Sequence, residues 1–585
     1  MTPHHGARDR LLLPLLVLLL CVGAARAVAE SAGAVPPDVY VPMDSWVYGA
    51  LDRLHGLGYL DTAFLGIRPW TRRSIANLLA EADDEDGIHD DPQAEEIFQA
   101  LSKAFPKAAA TAAPPWSVPS QEYESAYTRL QGIAGLPLRD SFHLGQTLSN
   151  DYGRPYQGGF NTIDGASGSV QAGRFSLYAR GEFQHAPSAA GYSPALFTQL
   201  SNIDNVPIAS NPVQATIPEG PIAATNVFRI VEANLSYRLL GHQFSFGKSD
   251  HWLAPTQGGS FIYSNNAENI YAFQIDRAEP LYVPLLSRLT GPFRYDFFVG
   301  SLKGHSDPND PWMHLEKISF KPTANVEFGF VRSTIWGGKG HVPITIGSFL
   351  KSFFSFQNVL AAEKFSRGDP GARFGTFDFS WRLPFLSHWL TLYTDSLVHD
   401  DVSPVDAPRH AGVRPGLYLS EVPGIPRLDL RVEGVNTDPP TSRSDGGGYL
   451  YAEGIQLQGY TNKGFIMGDA FGREGTGGQA WITYHLSPRE LVQFSFRNLK
   501  DSKDFIPGIY NAATNTYGPG GTTQNSFEFR VVKRLREDLE LQARLQHEWW
   551  KAPVYQPGEQ GDTAATFQLT WYPKRDAVPP RPGPP

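Results

Sequence analysis

Phe175, Leu177, Ala179, Gly181 and Phe183 alternate with Ser176, Tyr178, Arg180, Glu182 and Gln184, and this period of two constrains the fold of the 585-residue chain more than any other feature. Successive strand residues point to opposite faces, so the segment carries one apolar face and one face of ionised groups. The pattern returns near the other end. There Leu539, Leu541, Ala543 and Leu545 alternate with Glu540, Gln542, Arg544 and Gln546, and a partner run over residues 527–531 joins through a charged turn at 534–538. In a soluble sandwich the apolar face meets a second sheet. In a transmembrane barrel it meets lipid, and the polar face lines a wet lumen.

The N-terminus bears on that choice. Arg8 and Arg10 precede an apolar run from Leu11 to Val22, and Ala25-Arg26-Ala27 forms a small-x-small site, so residues 1–27 read as a signal peptide cleaved after Ala27. The run is too short to span a bilayer. Cys21, the only cysteine, leaves with it, so the mature chain has no disulfide and no thiol nucleophile. The formal charge of −9 becomes −11 once the peptide's net +2 is removed, which argues against a nucleic-acid partner. Charged residues make up 19%, below the roughly 25% of soluble domains.

Two features favour the barrel. Long side chains of both charges occupy successive polar-face positions, which suits a hydrated, mutually paired interior. The last strand alternates Ala565, Phe567, Leu569 and Trp571 with Thr566, Gln568 and Thr570 and ends in aromatics, resembling the terminal signal read by barrel-insertion machinery. A Pro/Arg tail occupies residues 573–585. The long connections expected outside the cell are 186–225, 399–427 and 500–525, all rich in Pro, Gly, Asn and Ser.

Residues 28–120 read differently, as a periplasmic helical bundle and linker ahead of a barrel over residues 121–572. A flexible lead over 28–36 comes first. Val47, Ala50, Leu51, Leu54 and Leu57 recur at helical spacing, with Gly56 and Gly58 as a stop. Thr71 can cap a second helix with Ile75, Leu78, Leu79 and Ala82 on one face. Asp91-Pro92 starts a third carrying Ile97, Phe98, Leu101 and Phe105. Residues 106–120, rich in Ala and Pro, form the linker.

Catalytic constellations are mostly missing. Residues 165–169 lack the second glycine of a nucleophile elbow, and no phosphate-cradling glycine pattern opens a helix. His399-Asp400-Asp401 and His89-Asp90-Asp91 read as solvated acidic turns, because neither has calcium-loop spacing. Asp250 and His251 are strand neighbours aimed at opposite faces, which speaks against a direct relay. No metal and no cofactor is expected. Sugar binding asks for less: aromatic faces, planar donors and, for an acidic polymer, Arg or Lys. Such groups concentrate at Lys248, His251, Trp252, Asn265, Asn266, Arg332, Trp336, Lys339 and Arg473. The plainer reading puts both tryptophans in an interfacial aromatic belt and the charges in lumenal salt-bridge ladders.

Four segments, in order, resemble the Wzi family of outer-membrane capsule-assembly proteins. They are YVPMDSWVYGALDRLHGLGYL with IRPWTRRSIANLL from Tyr40, FGKSDHWLAPTQGGSFIYSNNAENI from Phe246, ISFKPTANVEFGFVRSTIWGGKG from Ile318, and YTNKGFIMGDAFGREGTGG from Tyr460. The first is similar to the family's helical segment, and the second and third to its central and later signatures. Lys248 stands where Arg is usual, Ala254 takes a glycine place, and Met467-Gly468-Asp469 lacks the usual His. The resemblance implies an all-β transmembrane barrel of eighteen antiparallel strands in outer-membrane lipid, with a small helical bundle at its periplasmic mouth. It also implies a non-enzymatic lectin that anchors or organises capsular or extracellular polysaccharide. The rival readings are a sugar- or solute-selective channel, which also uses lumenal Arg/Glu ladders, and an outer-membrane hydrolase built around His251.

Overall fold

The computed structural model describes residues 37–84, 87–106, 120–208, 214–355, 360–386, 390–401, 403–439, 447–502, 505–508, 510–511 and 514–573. The expected signal peptide over 1–27, the expected lead over 28–36, nearly all of the expected linker over 106–120 and the tail from 574 lie outside them. Three helices come first: α1 (Trp46–Gly56), α2 (Arg72–Asp83) and α3 (Pro92–Ala104). Each begins where a side chain satisfies otherwise orphaned amides. Thr71 accepts from the Ser74 amide, and Asp91 accepts from the amides of Gln93 and Ala94, with Pro92 at the first helical position. Their apolar stripes, including Leu51, Leu54, Ile75, Leu79, Ile97 and Leu101, meet in one core, each buried side chain contributing roughly 1.5–3 kcal/mol.

Eighteen strands follow. The first nine are β1 (Ser120–Gly135), β2 (Gly159–Ala172), β3 (Phe175–Ala186), β4 (Thr225–Leu239), β5 (His242–Lys248), β6 (Tyr271–Asp276), β7 (Phe293–Ser301), β8 (Trp312–Thr323) and β9 (Val326–Trp336). The rest are β10 (Ala372–Arg382), β11 (Leu390–His399), β12 (Gly412–Leu419), β13 (Leu428–Asn436), β14 (Gly475–Ser487), β15 (Glu490–Asp501), β16 (Thr522–Arg536), β17 (Leu539–Ala552) and β18 (Gln556–Trp571). Each pairs antiparallel with the next, and β18 pairs back onto β1, where Leu130 lies opposite Phe567, so the sheet closes. Closure leaves no edge strand.

Connections at one mouth include two-residue turns at 173–174, 240–241, 324–325, 488–489 and 537–538. The other mouth carries the long ones, among them 187–224, 249–270, 337–371, 437–474 and 502–521. The stretch 399–427, expected as one connection, contains β12. Pro415 hides that strand in the sequence because it lacks an amide proton. The β12–β13 ladder skips from Val413↔Asn436 to Gly416↔Glu433 across it without a change of register. Within 187–224 lies a helix, α4 (Pro194–Asp204), capped by Ser193.

The two faces of the wall sort as the alternation requires. Ser176, Tyr178, Arg180, Glu182 and Gln184 are buried inward, while Leu177 and Phe183 stand exposed outside. Outward apolar side chains continue around the wall, with Phe228 65%, Phe246 63% and Phe567 54% exposed, and Phe273, Phe330, Phe494 and Phe529 among the others. Among the described residues no second sheet covers them. A belt of this extent is foreign to a soluble monomer and fits hydrocarbon.

The lumen is filled. The bundle sits in the short-turn mouth, held by wall side chains that bond its backbone and carboxylates. Arg382 donates to His55 O at 2.9 Å and Asp61 at 2.6 Å. Lys321 donates to Ala63 O at 2.8 Å, and Glu327 accepts from the amides of Leu65 and Gly66 at 2.8 and 3.0 Å. Arg180 pairs with Asp44 at 2.7 Å. Above the bundle, Phe142, Leu253, Phe261, Ile262, Tyr451, Tyr460, Met467 and Phe471 pack with inward wall residues such as Leu315, Ile335 and Phe374 into a core inside the barrel.

Candidate functional site

The connection 249–270 runs through the middle of that core. Expected to carry sugar contacts at His251, Trp252, Asn265 and Asn266, it forms a stopper with each end fixed to a different part of the molecule. Trp252 and Arg68 exchange backbone hydrogen bonds at 2.9 and 3.1 Å, joining it to the bundle. At the far end Ser264 donates to Gly468 O at 2.6 Å, and Asn266 donates to Ile466 O at 3.0 Å. Between them the Gln257 and Gly258 amides donate to Glu433 at 2.7 and 3.0 Å, and the Phe261 amide donates to Asp395 at 2.8 Å. Gly258 and Gly259 are small for a steric reason. A Cβ on the first would strike Gln479 and Arg414, and one on the second the Asp469 carboxylate at 2.7 Å.

Asp250 and His251 follow the end of β5, so the opposite-faces argument does not apply to them, and their partners differ. Asp250 accepts from the Met43 amide and Tyr152 hydroxyl at 2.9 Å each, and from Asn269 at 2.7 Å. His251 lies against the ring of Phe298, 4.4 Å between centroids, and burial pulls its pKa down to about 4. It is a neutral, boxed imidazole.

The nine sequence candidates scatter. Lys248 is buried against Glu268. Trp252 is buried with its indole N–H on Thr256 O at 2.8 Å. Asn265 and Asn266 are buried in the stopper. Arg473 lies between the rings of Phe142 and Phe505 and pairs with Asp204 at 2.7 Å. Arg332 and Trp336 share the outward parity of Phe330 on β9, so they face away from the lumen. Only Lys339 is well exposed, at 76% of its side chain.

Lys339 stands in a cluster that three long connections assemble. Lys303 and Lys339 each donate to a different oxygen of Asp310, at 3.0 and 2.9 Å. The Lys463 amide donates to Lys303 O at 2.7 Å, and its ammonium reaches Glu268 at 2.9 Å. Arg229 and Lys248 contact the same Glu268 from below. Five cations face two carboxylates, leaving a positive excess. Hydrogen bonds from Lys339 and Lys303 hold Asp310 below the usual carboxylate range. At Glu268 burial opposes ionisation, but Arg229 and Lys248 outweigh it and hold the group at about 2. Both acids therefore stay ionised, while half of the Lys303 and Lys463 side chains remains open to solvent. Sequence reading missed those two lysines. Lys463 has a signal: it occupies the tip of a two-residue-strand hairpin at φ 52°, where a side chain projects.

The same mouth is closed by a buried charge chain. His143 bonds Asp140 and Asp204, both at 2.7 Å, and Asp204 also receives Arg473. Burial disfavours the imidazolium, yet Asp140 and Asp204 outweigh it and push the pKa up to about 9. A raised folded value means that the stabilisation is complete below the detached value of about 6.5 and is lost as pH rises through 9. Its size is about 3 kcal/mol. Protection factors for hydrogen exchange in α4 are expected to be high at pH 6 and to fall above pH 9, and His143→Gln to abolish that dependence.

His399-Asp400-Asp401 is not the solvated turn expected. His399 and Asp401 are buried, and the Lys364 ammonium bridges Asp400 and Glu453 at 2.8 and 3.0 Å, supplying the cation those carboxylates need. His89, by contrast, is exposed beside Glu95, and Asp91 caps α3.

A family model described as capsule assembly protein Wzi matches residues 129–565. Among solved structures, the chain is similar to Wzi of Escherichia coli, an outer membrane protein involved in group 1 capsule assembly and described as a carbohydrate-binding β-barrel. The identity is 15% over 92% of this chain and 99% of that one, with a TM-score of 0.63, a likeness of fold. Pseudomonas aeruginosa OprD aligns at 9% identity over 78% of this chain and 96% of its own, with a TM-score of 0.39. Acinetobacter baumannii OccAB3 aligns at 9% over 77% and 99%, with a TM-score of 0.37. No curated protein sequence matches.

Proposed function

This chain belongs to the capsule assembly protein Wzi family, and on that premise we propose that it is an outer-membrane lectin whose long-loop face binds an acidic capsular polysaccharide. The observation that carries this reading is the Lys303–Lys339–Lys463 cluster on a barrel whose lumen is filled. Exposed ammonium groups on three separate connections suit a repeating polyanion, because each makes a charge-assisted contact without a fixed angular demand. Lys339 is the sequence candidate retained for direct contact. The others act by building the stopper and walls that hold the loops in place.

In this reading residues 1–27 direct export and are removed, the bundle faces the periplasm, and the long connections face outward. Function is retention of polymer, with no bond made or broken. The neutral, boxed His251 supports that and weakens the hydrolase reading.

A channel is disfavoured for a steric reason. The packed core of Phe142, Leu253, Phe261, Tyr451 and Tyr460 against the inward wall occupies the path that solute would need, and a cavity lined by His55, Pro255, Tyr393 and Arg431 has about 10 Å³ of room, close to what one water needs. Purified protein in planar lipid bilayers is expected to insert without steady conductance. Stable open steps of ionic current would overturn the lectin reading in favour of a porin.

A further inference from the structure

One helix lies where a barrel interior cannot explain it. Within connection 337–371, α5 (Ile346–Phe354) is capped by Thr345. It packs on the outside of the wall, over the upper outward positions of β8 and β9. Glu316 lies opposite Arg332, and Ile318 lies opposite Phe330 in the same ladder, so these positions share the lipid-facing side. His314 donates or accepts at Glu316 (2.6 Å) and at the Ser352 hydroxyl (3.0 Å), and its ring lies against Phe349 and Phe353. Arg332 donates to Ser352 O at 2.9 Å, Phe353 O at 2.6 Å and Ser355 O at 2.5 Å, the open carbonyls of the α5 C-terminus. Trp336 is buried under the helix against Phe349.

The opposite side of α5 is also apolar. Ile346, Leu350 and Phe354, one row at spacing four, are exposed by 79%, 45% and 65%, and Leu360 and Phe365 beyond them stand open too. A helix that is apolar on both sides belongs in an apolar medium on both sides. The exposed row continues the wall's own belt: Phe330 and Ile318 lie only two residues along the strands from Arg332 and Glu316. Lys351 leaves the same helix to reach Glu363 and Gly368 O, as a snorkelling cation does at a membrane boundary.

We propose that α5 is an interfacial helix that lays Ile346, Leu350 and Phe354 into the acyl region of the outer leaflet and clamps the barrel at a fixed depth. The His314–Glu316–Arg332–Ser352 group, with His314 and Ser352 buried and Glu316 and Arg332 partly covered, is the polar joint that fastens it to the wall and shields those charges from lipid. The inference rests on the barrel being embedded in a bilayer, and the test separates the two. Nitroxides are placed at Leu350→Cys, Ile346→Cys, Phe330→Cys and Lys339→Cys, one per protein, in the chain from residue 28 onward, which has no other cysteine, and the protein is reconstituted in phospholipid vesicles. Collisions with oxygen and with a water-soluble nickel chelate are then compared. Labels at 350 and 346 are expected to match 330, with oxygen collisions high and chelate collisions lost, while 339 collides freely with the chelate. Chelate access at 346 and 350 with lipid access at 330 overturns the helix assignment alone. Exclusion of both reagents at 346 and 350 also overturns it, since protein then covers the row. Chelate access at 330 overturns the membrane reading itself.

Discussion

Reversing the three lysines together, Lys303→Glu, Lys339→Glu and Lys463→Glu, is expected to strip acidic polymer from the cell surface while the barrel still inserts. Each lysine is held by a single carboxylate and shows at least half of its side chain to water, so none of the three supports the core. A solvent-exposed charge contact is worth up to about 1 kcal/mol, so losing three weakens binding about 100-fold before added repulsion is counted. The check is retained polysaccharide on washed cells, with heat-modifiable mobility of the extracted protein as the folding control. Lys→Gln at the same positions removes attraction without adding repulsion and is expected to give an intermediate loss. Salt should weaken wild-type retention in the same direction, because the screening length is about 8 Å at physiological ionic strength.

The second large effect is structural. Arg414, fully buried on β12, donates to Asp469 at 2.7 and 3.0 Å and to Glu433 at 2.5 Å. Glu433 in turn receives the Gln257 and Gly258 amides of the stopper and the Tyr393 hydroxyl at 2.8 Å. Arg414→Ala therefore leaves two carboxylates inside the barrel without their common cation. Breaking a buried pair from one side costs about 3–5 kcal/mol. The variant is expected to unfold at lower urea than wild type and to open the stopper to proteolysis near Gln257. Adding Glu433→Gln and Asp469→Asn should recover part of the loss, because the charges that lacked a partner are then gone. An unchanged urea midpoint for Arg414→Ala would mean that the stopper is held by its apolar contacts alone.

What could be read from the sequence was what depends on neighbours in the chain. Thr71 and Asp91-Pro92 mark helix starts because a cap acts on amides two or three residues away. The face of ionised groups on β3 is visible because side chains alternate regardless of what surrounds the strand. Alternation names two faces, however, and not which of them is the lumen. Arg332 and Trp336 thus read as sugar contacts, although they lie on the outer face of the wall, covered by α5. The helix α5 itself was missed because its row Ile346, Leu350, Phe354 is matched by Phe349 and Phe353 on the barrel side, which blurs the amphipathic signal.

The segment from Lys248 to Asn266 shows the same gap at larger scale. Its mixture of Asp, His, Trp, Gly and Asn reads as a recognition surface. In the fold those groups satisfy one another and the wall: Asp250 with Met43, Glu433 with Gly258, Asn266 with Ile466. Polar residues inside a barrel resemble polar residues at a binding site because both need converging partners, and the partners here are up to 207 positions away in sequence. The exposed lysine cluster is equally non-local, drawing one residue from each of three connections.

The most direct measurement is equilibrium binding of purified acidic capsular polysaccharide to the detergent-solubilised full chain, compared with the Lys303→Glu/Lys339→Glu/Lys463→Glu protein across a salt series. Saturable binding that weakens with salt and falls by about 100-fold in the triple variant is the predicted result. Equal binding by wild type and triple variant, both correctly folded, would contradict the account and place recognition elsewhere on the barrel.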